Sequence, residues 1–195
     1  ELRKGGYTAA DLIAGGFVPK SLLEGGFTAA DMKNAELSAG ELKGAGFSAR
    51  ALKAACFELH ELKEVGFTAK ELYAEGHGFT ASEMKAAGFT SKQLKSASFT
   101  VDQLIEASFP LDELKAAGFK ALQLRAAGFT GTQLEEYGFT APELRAGGFT
   151  AADLKASFDV QELLSGGFTP AELREGAFDA GKLRAVGCTA KELKA

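Results

Sequence analysis

Every phenylalanine of this chain, sixteen in all, falls in one slot of a ten-residue repeat that runs through its 195 residues. The repeat reads G-F-T-A-x-E-L-K-x-A and its aromatic slot occurs nineteen times. Tyr7, Leu37 and Cys188 fill the three copies that lack Phe, and a leucine (methionine at 32 and 84) follows each slot by five residues. A period this short converts folding into stacking, because one unit cannot bury its own apolar side chains and must lean on its neighbours.

The local chemistry of the unit predicts one short helix. In Tyr7-Thr8-Ala9-Ala10-Asp11-Leu12-Ile13-Ala14-Gly15-Gly16-Phe17, Thr8 is a good N-cap and Asp11, three residues on, completes a capping-box pattern. The pattern recurs with glutamate as Thr68 and Glu71, Thr80 and Glu83, Thr140 and Glu143, and Thr169 and Glu172. Between cap and stop lie strong helix formers. Gly16 then stands where a left-handed residue ends a helix, a slot in which thirteen repeats keep Gly. Glu36, Cys56, Ser98, Ser108 and Ala177 replace it elsewhere, and looser stops are expected there. Pro19, Pro110, Pro142 and Pro170 all fall at the cap or in the first turn, where a missing N–H breaks no helical bond. Acids precede the leucine and bases follow it, both complementing the helix dipole. Each leucine is placed to meet the aromatic before its helix and the one after it, as in a hydrophobic staple and a Schellman ending.

The expected fold is therefore all-α: a solenoid of about nineteen helices of about seven residues, with Phe and Leu inward and Glu, Lys and Thr outward. With three or four helices to a superhelical turn, stacked about 10 Å apart, such an array is a rod. One long helix is excluded, since apolar residues every five positions spiral around it instead of forming a stripe. The rival is a right-handed quadrilateral β-helix. Phe and Leu alternate at intervals of five, which resembles the pentapeptide-repeat family. That resemblance implies a regulatory binder that mimics nucleic acid. The family wants a small residue two before each central one; Ala45, Ala55, Ala87, Ala97 and Ala107 comply before Phe, but Lys20, Arg50, His60, Lys70, Lys92 and Asp112 depart before Leu. The decapeptide itself resembles the tandem G-F-T-A-x-E-L-K repeat proteins over the whole chain. This second resemblance implies an elongated helical array and supplies no activity.

Composition removes several classes of function. Twenty-two basic and twenty-six acidic residues give a formal charge of −4, spread almost evenly along the repeats. Without a block of like charge, no nucleic-acid groove is expected. The apolar runs are too short for membrane insertion. Two histidines and two cysteines at scattered positions give neither a zinc site nor a disulfide framework. The glycines keep the repeat's rhythm and form no phosphate-binding fingerprint. Carboxylates recur once per unit, unlike the unique, sheltered pair that acid–base catalysis requires. No catalytic residue, cofactor, metal or small-molecule substrate is expected, and the chain is read as a non-enzyme.

Residues 1–195 read as one continuous solenoid, a segment of a longer array, with irregular joints near 76–78 and 155–158. Leu72 to Met84 spans an insertion, Gly76-His77-Gly78, and Leu154 to Leu163 is one residue short, with Ser157 directly before Phe158. The position after leucine, normally Lys or Arg, contains Tyr73, Ile105 and Leu164, and Tyr137 replaces a small residue nearby. Together with His77 these are the candidate partner contacts. The expected role is a scaffold, linker or spacer that contacts other proteins of a larger complex. A designed array with no natural role fits less well with the irregular substitutions and the two spacing errors.

Overall fold

The computed structural model describes residues 5–74 and 79–194. Among them are eighteen α-helices and one 3-10 turn, and no strand. The β-helix alternative is thereby overturned, and the nucleic-acid-mimic reading, which depended on a β rod, goes with it. The chain divides into two compact units, Glu1–Ser108 and Phe109–Ala195. The first contains α1 (Ala9–Ala14), α2 (Pro19–Glu24), α3 (Ala29–Lys33), α4 (Ala39–Gly44), α5 (Ala49–Ala54), α6 (Leu59–Glu64), α7 (Ala69–Ala74), α8 (Ala81–Ala86), α9 (Ser91–Ser96) and α10 (Val101–Glu106). The second contains α11 (Leu111–Ala116), α12 (Ala121–Ala126), α13 (Gly131–Glu136), α14 (Ala141–Ala146), α15 (Ala151–Leu154), α16 (Val160–Ser165), α17 (Pro170–Glu175) and α18 (Ala180–Ala185), then the 3-10 turn Glu192–Lys194. The last repeat thus forms a single tight turn in place of the nineteenth helix.

Most helices have six residues, about 9 Å at 1.5 Å per residue, and are too short to persist alone in water. Their ends are fully specified. At α8 the Thr80 backbone N–H donates to Glu83 Oε2 at 2.7 Å, and the Glu83 N–H donates to Thr80 Oγ1 at 3.2 Å. At the other end Phe89 N–H donates to Met84 O at 3.0 Å and Gly88 N–H to Lys85 O at 2.8 Å. These two bonds form a Schellman ending, with Gly88 at φ +82°. The core residue therefore holds the next aromatic through its own carbonyl.

The five non-glycine stops are no looser. Glu36, Cys56, Ser98, Ser108 and Ala177 adopt positive φ between 58° and 73°. Phe57, Phe99 and Phe178 still bond the core leucine carbonyls at 3.1, 3.0 and 3.1 Å. A side chain in this conformation costs about 1–2 kcal/mol, and the two hydrogen bonds with the burial of the following ring hold it there. At the short joint the left-handed residue is simply missing. Phe158 N–H nevertheless reaches Leu154 O at 3.0 Å, from one residue nearer.

Stacking follows a rule of two. Many helices pack most closely on the helix two repeats away, as in α1 with α3, α8 with α10, α12 with α14 and α15 with α17, while α18 packs chiefly on α17. With closest neighbours two apart, alternate helices form two rows within each unit. The leucines of the repeat are sealed between them: Leu42, Leu62, Leu114 and Leu144 have no exposed surface, each burial contributing about 1.5–3 kcal/mol. Small residues set the approach. A Cβ on Gly147, at the end of α14, would lie 2.7 Å from Ala121 Cβ at the start of α12, and Gly166 meets Ala141 in the same way.

Candidate protein-interaction surface

The position after each core leucine does not point freely outward. It leans over the end of the helix two repeats on. Lys33 of α3 donates to Cys56 O at 2.5 Å and lies 4.3 Å from the centroid of Phe57, the ring that closes α5. Lys63 of α6 donates to Gly88 O at 2.5 Å with its ammonium 5.2 Å from the Phe89 centroid. In the second unit Lys115 reaches Tyr137 O at 3.1 Å and sits 4.6 Å from the Phe139 centroid. Arg125 reaches Gly148 O at 2.5 Å, its guanidinium 5.3 Å from Phe149. The attraction has two sources: carbonyls at the negative end of a helix, left without intrahelical partners, and the negative face of the ring. Expected as solvated cations, these side chains instead tie together helices two apart within each row.

The candidate contacts take their places in this scheme. Tyr73 replaces a cation on α7 and stacks on Phe99, the ring closing α9, with centroids 4.1 Å apart and an interplanar angle of 37°. Ile105 on α10 and Leu164 on α16 are half-buried. Tyr137 is the C-cap of α13 and is 45% exposed. His77 lies outside the described residues. Tyr73 and Ile105 are on helices three apart, as are the C-cap Tyr137 and Leu164. Cys188, expected to be buried, is half-exposed, and both cysteines are free.

Sequence reasoning missed three members of the same slot: Ile13, Leu23 and Glu135. Their signal is the partner at constant offset. Ile13 is in register with Leu37 and Leu164 with Cys188, where the aromatic is absent, while Leu23 and Ile105 are in register with Phe47 and Phe129. Glu135 is the one acid in the slot among the described residues.

Between the rows run open grooves. One, of about 660 Å³, is bordered by Lys63, Phe67, Thr68, Phe89 and Gln93. Another, of about 610 Å³, is bordered by Glu135, Phe139, Pro142, Phe158, Gln161 and Ser165. Capping carboxylates recur along both units. The Ser38 backbone N–H, then its hydroxyl, hold Glu41 below the usual carboxylate range, and the backbone N–H of Thr140 does the same for Glu143. Such hydrogen bonds favour the charged form. Arg145 pairs with Glu172 at 3.2 Å; both are exposed, so the pair contributes little. Among the described residues no group of His, Cys, Asp or Glu is gathered for a metal ion, and no helix is long and apolar enough to cross a membrane.

Comparison with known proteins agrees with the period. The family described as Decapeptide repeat region matches residues 1–69, 78–151 and 138–195. No curated protein and no solved structure matches the chain. With its repeats matched along nearly the whole length, the chain belongs to the decapeptide-repeat-region family.

Proposed function

We propose that the chain is a non-catalytic scaffold, linker or spacer that engages other proteins of a larger assembly. The observation that supports this most is the repeated clamp, exemplified by Lys33 on Cys56 O and Phe57 and by Lys115 on Tyr137 O and Phe139. It ties many of the helices to a neighbour that is not their sequence neighbour, so stiffness is distributed along each unit instead of concentrated in one core. Chemistry is spread just as evenly: the lowered carboxylates are caps held by their own N-cap residues, with no group set apart for a reaction. The grooves between rows offer the same outline again and again, which suits many weak contacts over an extended surface.

The test is replacement in the native setting. Exchanging the array for a flexible Gly/Ser linker of equal residue number should loosen or misassemble the parent complex, scored by cross-linking mass spectrometry and native sedimentation. An unchanged complex with unchanged cross-links overturns the scaffold reading.

A further inference from the structure

One clamp in the second unit is inverted. On either side of it, α11, α12, α14 and α15 supply Lys115, Arg125, Arg145 and Lys155 to the rings of Phe139, Phe149, Phe168 and Phe178, at 4.6, 5.3, 5.5 and 5.6 Å. Between them α13 supplies Glu135, and the ring in register, on α15, is Phe158. The two helices pack together, and Glu135 and Phe158 line the same open groove of about 610 Å³.

The ring of that groove is accessible: Phe158 is half-buried, as are Phe129 and Phe178, whereas Phe139, Phe149 and Phe168 are 4%, 6% and 4% exposed. Two further features set the groove apart. Among the described residues Glu135 is in no ion pair and Phe158 carries no cation. The end of α15 is one residue short, so the usual left-handed carbonyl is replaced by the Ser157 peptide, whose hydroxyl is buried without a hydrogen-bond partner. The same short end explains Gly131. A Cβ there, ordinary in other repeats, would fall on the Cδ2 of buried Leu154.

We propose that this groove accepts a lysine or arginine side chain from another polypeptide. The chain's own clamps show what the site is shaped for: a cation over the closing ring, directed at the carbonyls of the helix end. Here the in-chain cation is withdrawn, and a carboxylate occupies the same slot of the repeat and lines the same groove as the ring. An incoming ammonium or guanidinium meets all three attractors, with Pro142 and Phe139 flanking its stem. Cation–ring contact at such an open site strengthens binding roughly two- to fivefold, and the carboxylate adds a comparable surface ion pair. One site is therefore weak, suited to one of many contacts. The inference rests on the scaffold reading but names the residue chemistry of one of its docking points.

The test uses the intact 195-residue chain and a short polar peptide with one central arginine, titrated by NMR. Resonances of residues 135–142 and 158–165 should shift. Citrulline in place of arginine, which removes the charge from both ring and carboxylate, should weaken binding by roughly tenfold, and Glu135→Gln in the protein by roughly two- to fivefold. Glu135→Lys should abolish binding and raise the melting temperature, because it restores the in-chain clamp. Equal shifts with the citrulline peptide, shifts spread over all acidic repeats, or undiminished binding to Glu135→Lys each overturn the proposal. Those results would leave the linker-replacement experiment untouched, so failure of this site and failure of the scaffold reading are separable.

Discussion

Lys43 donates to the carbonyl of Val65 at 3.0 Å, 22 positions along the chain, with its ammonium 4.5 Å from the centroid of Phe67. A residue that reads as a solvated charge is a tie between α4 and α6. Lys43→Met keeps most of the aliphatic stem and removes the charge. It should lower stability by about 0.5–1 kcal/mol, seen as a lower urea midpoint. An unaltered midpoint would mean that the ammonium contributes nothing beyond its stem.

Two glycine substitutions should have opposite signs. Gly44 ends α4 with nothing within 4 Å of an added Cβ, so Gly44→Ala should stabilise by about 0.5–1 kcal/mol through helix propensity and loss of unfolded-state freedom. Gly147 faces Ala121, with its backbone carbon at 3.0 Å and its Cβ at 2.7 Å. Gly147→Ala should therefore destabilise by about 1–3 kcal/mol as the rows are pushed apart. Thermal melts of the pair check both, and equal shifts would contradict the close packing of α12 and α14.

Ser98 and Ala177 occupy the left-handed stop position at φ 73° and 58°. Ser98→Gly and Ala177→Gly should each stabilise by about 1 kcal/mol, the relief of the side-chain penalty less the entropy that glycine adds to the unfolded chain. Calorimetry that found either variant less stable would show that side-chain contacts outweigh the backbone term.

Acid should unfold the caps. Asp11, Glu41, Glu71, Glu143, Asp153 and Glu172 are held below their ordinary values, chiefly by hydrogen bonds from their N-cap residues. A folded-state pKa below the unfolded one means the native state binds fewer protons, so this stabilisation is complete above the ordinary carboxylate range and is lost as pH falls through the depressed values. Helicity followed by circular dichroism should hold from neutral pH down to about 5 and decline below about 4. Thr68→Val, which removes the hydroxyl that helps hold Glu71 below its ordinary value, should move the decline to higher pH. A flat profile down to pH 2 would contradict the role of the caps.

The fold was legible because its signals are local. Thr8 with Asp11, the proline positions and Gly16 fix where each helix starts and stops within a few residues of chain, and these calculations need no tertiary knowledge. Which helix packs on which was not legible, since a period of ten is equally compatible with two, three or four helices per turn. Without that offset the cation slot looked like exterior, and Tyr73 and Leu164 looked like bare apolar patches. With it, Tyr73 has Phe99 and Leu164 is in register with Cys188. Glu135 stayed hidden because acids are common in this chain; only its position opposite Phe158 distinguishes it from the capping carboxylates.

The two-repeat offset also bears on how such a chain can change in length. Lys63 is matched to the ring of Phe89 by counting units, not by any property peculiar to that phenylalanine. Slippage during copying that adds or removes ten residues leaves each cation an equivalent ring to settle on, so growth and loss by whole units are nearly neutral for folding. The idiosyncratic matches, Ile13 with Leu37 and Leu164 with Cys188, are the ones such slippage would scramble.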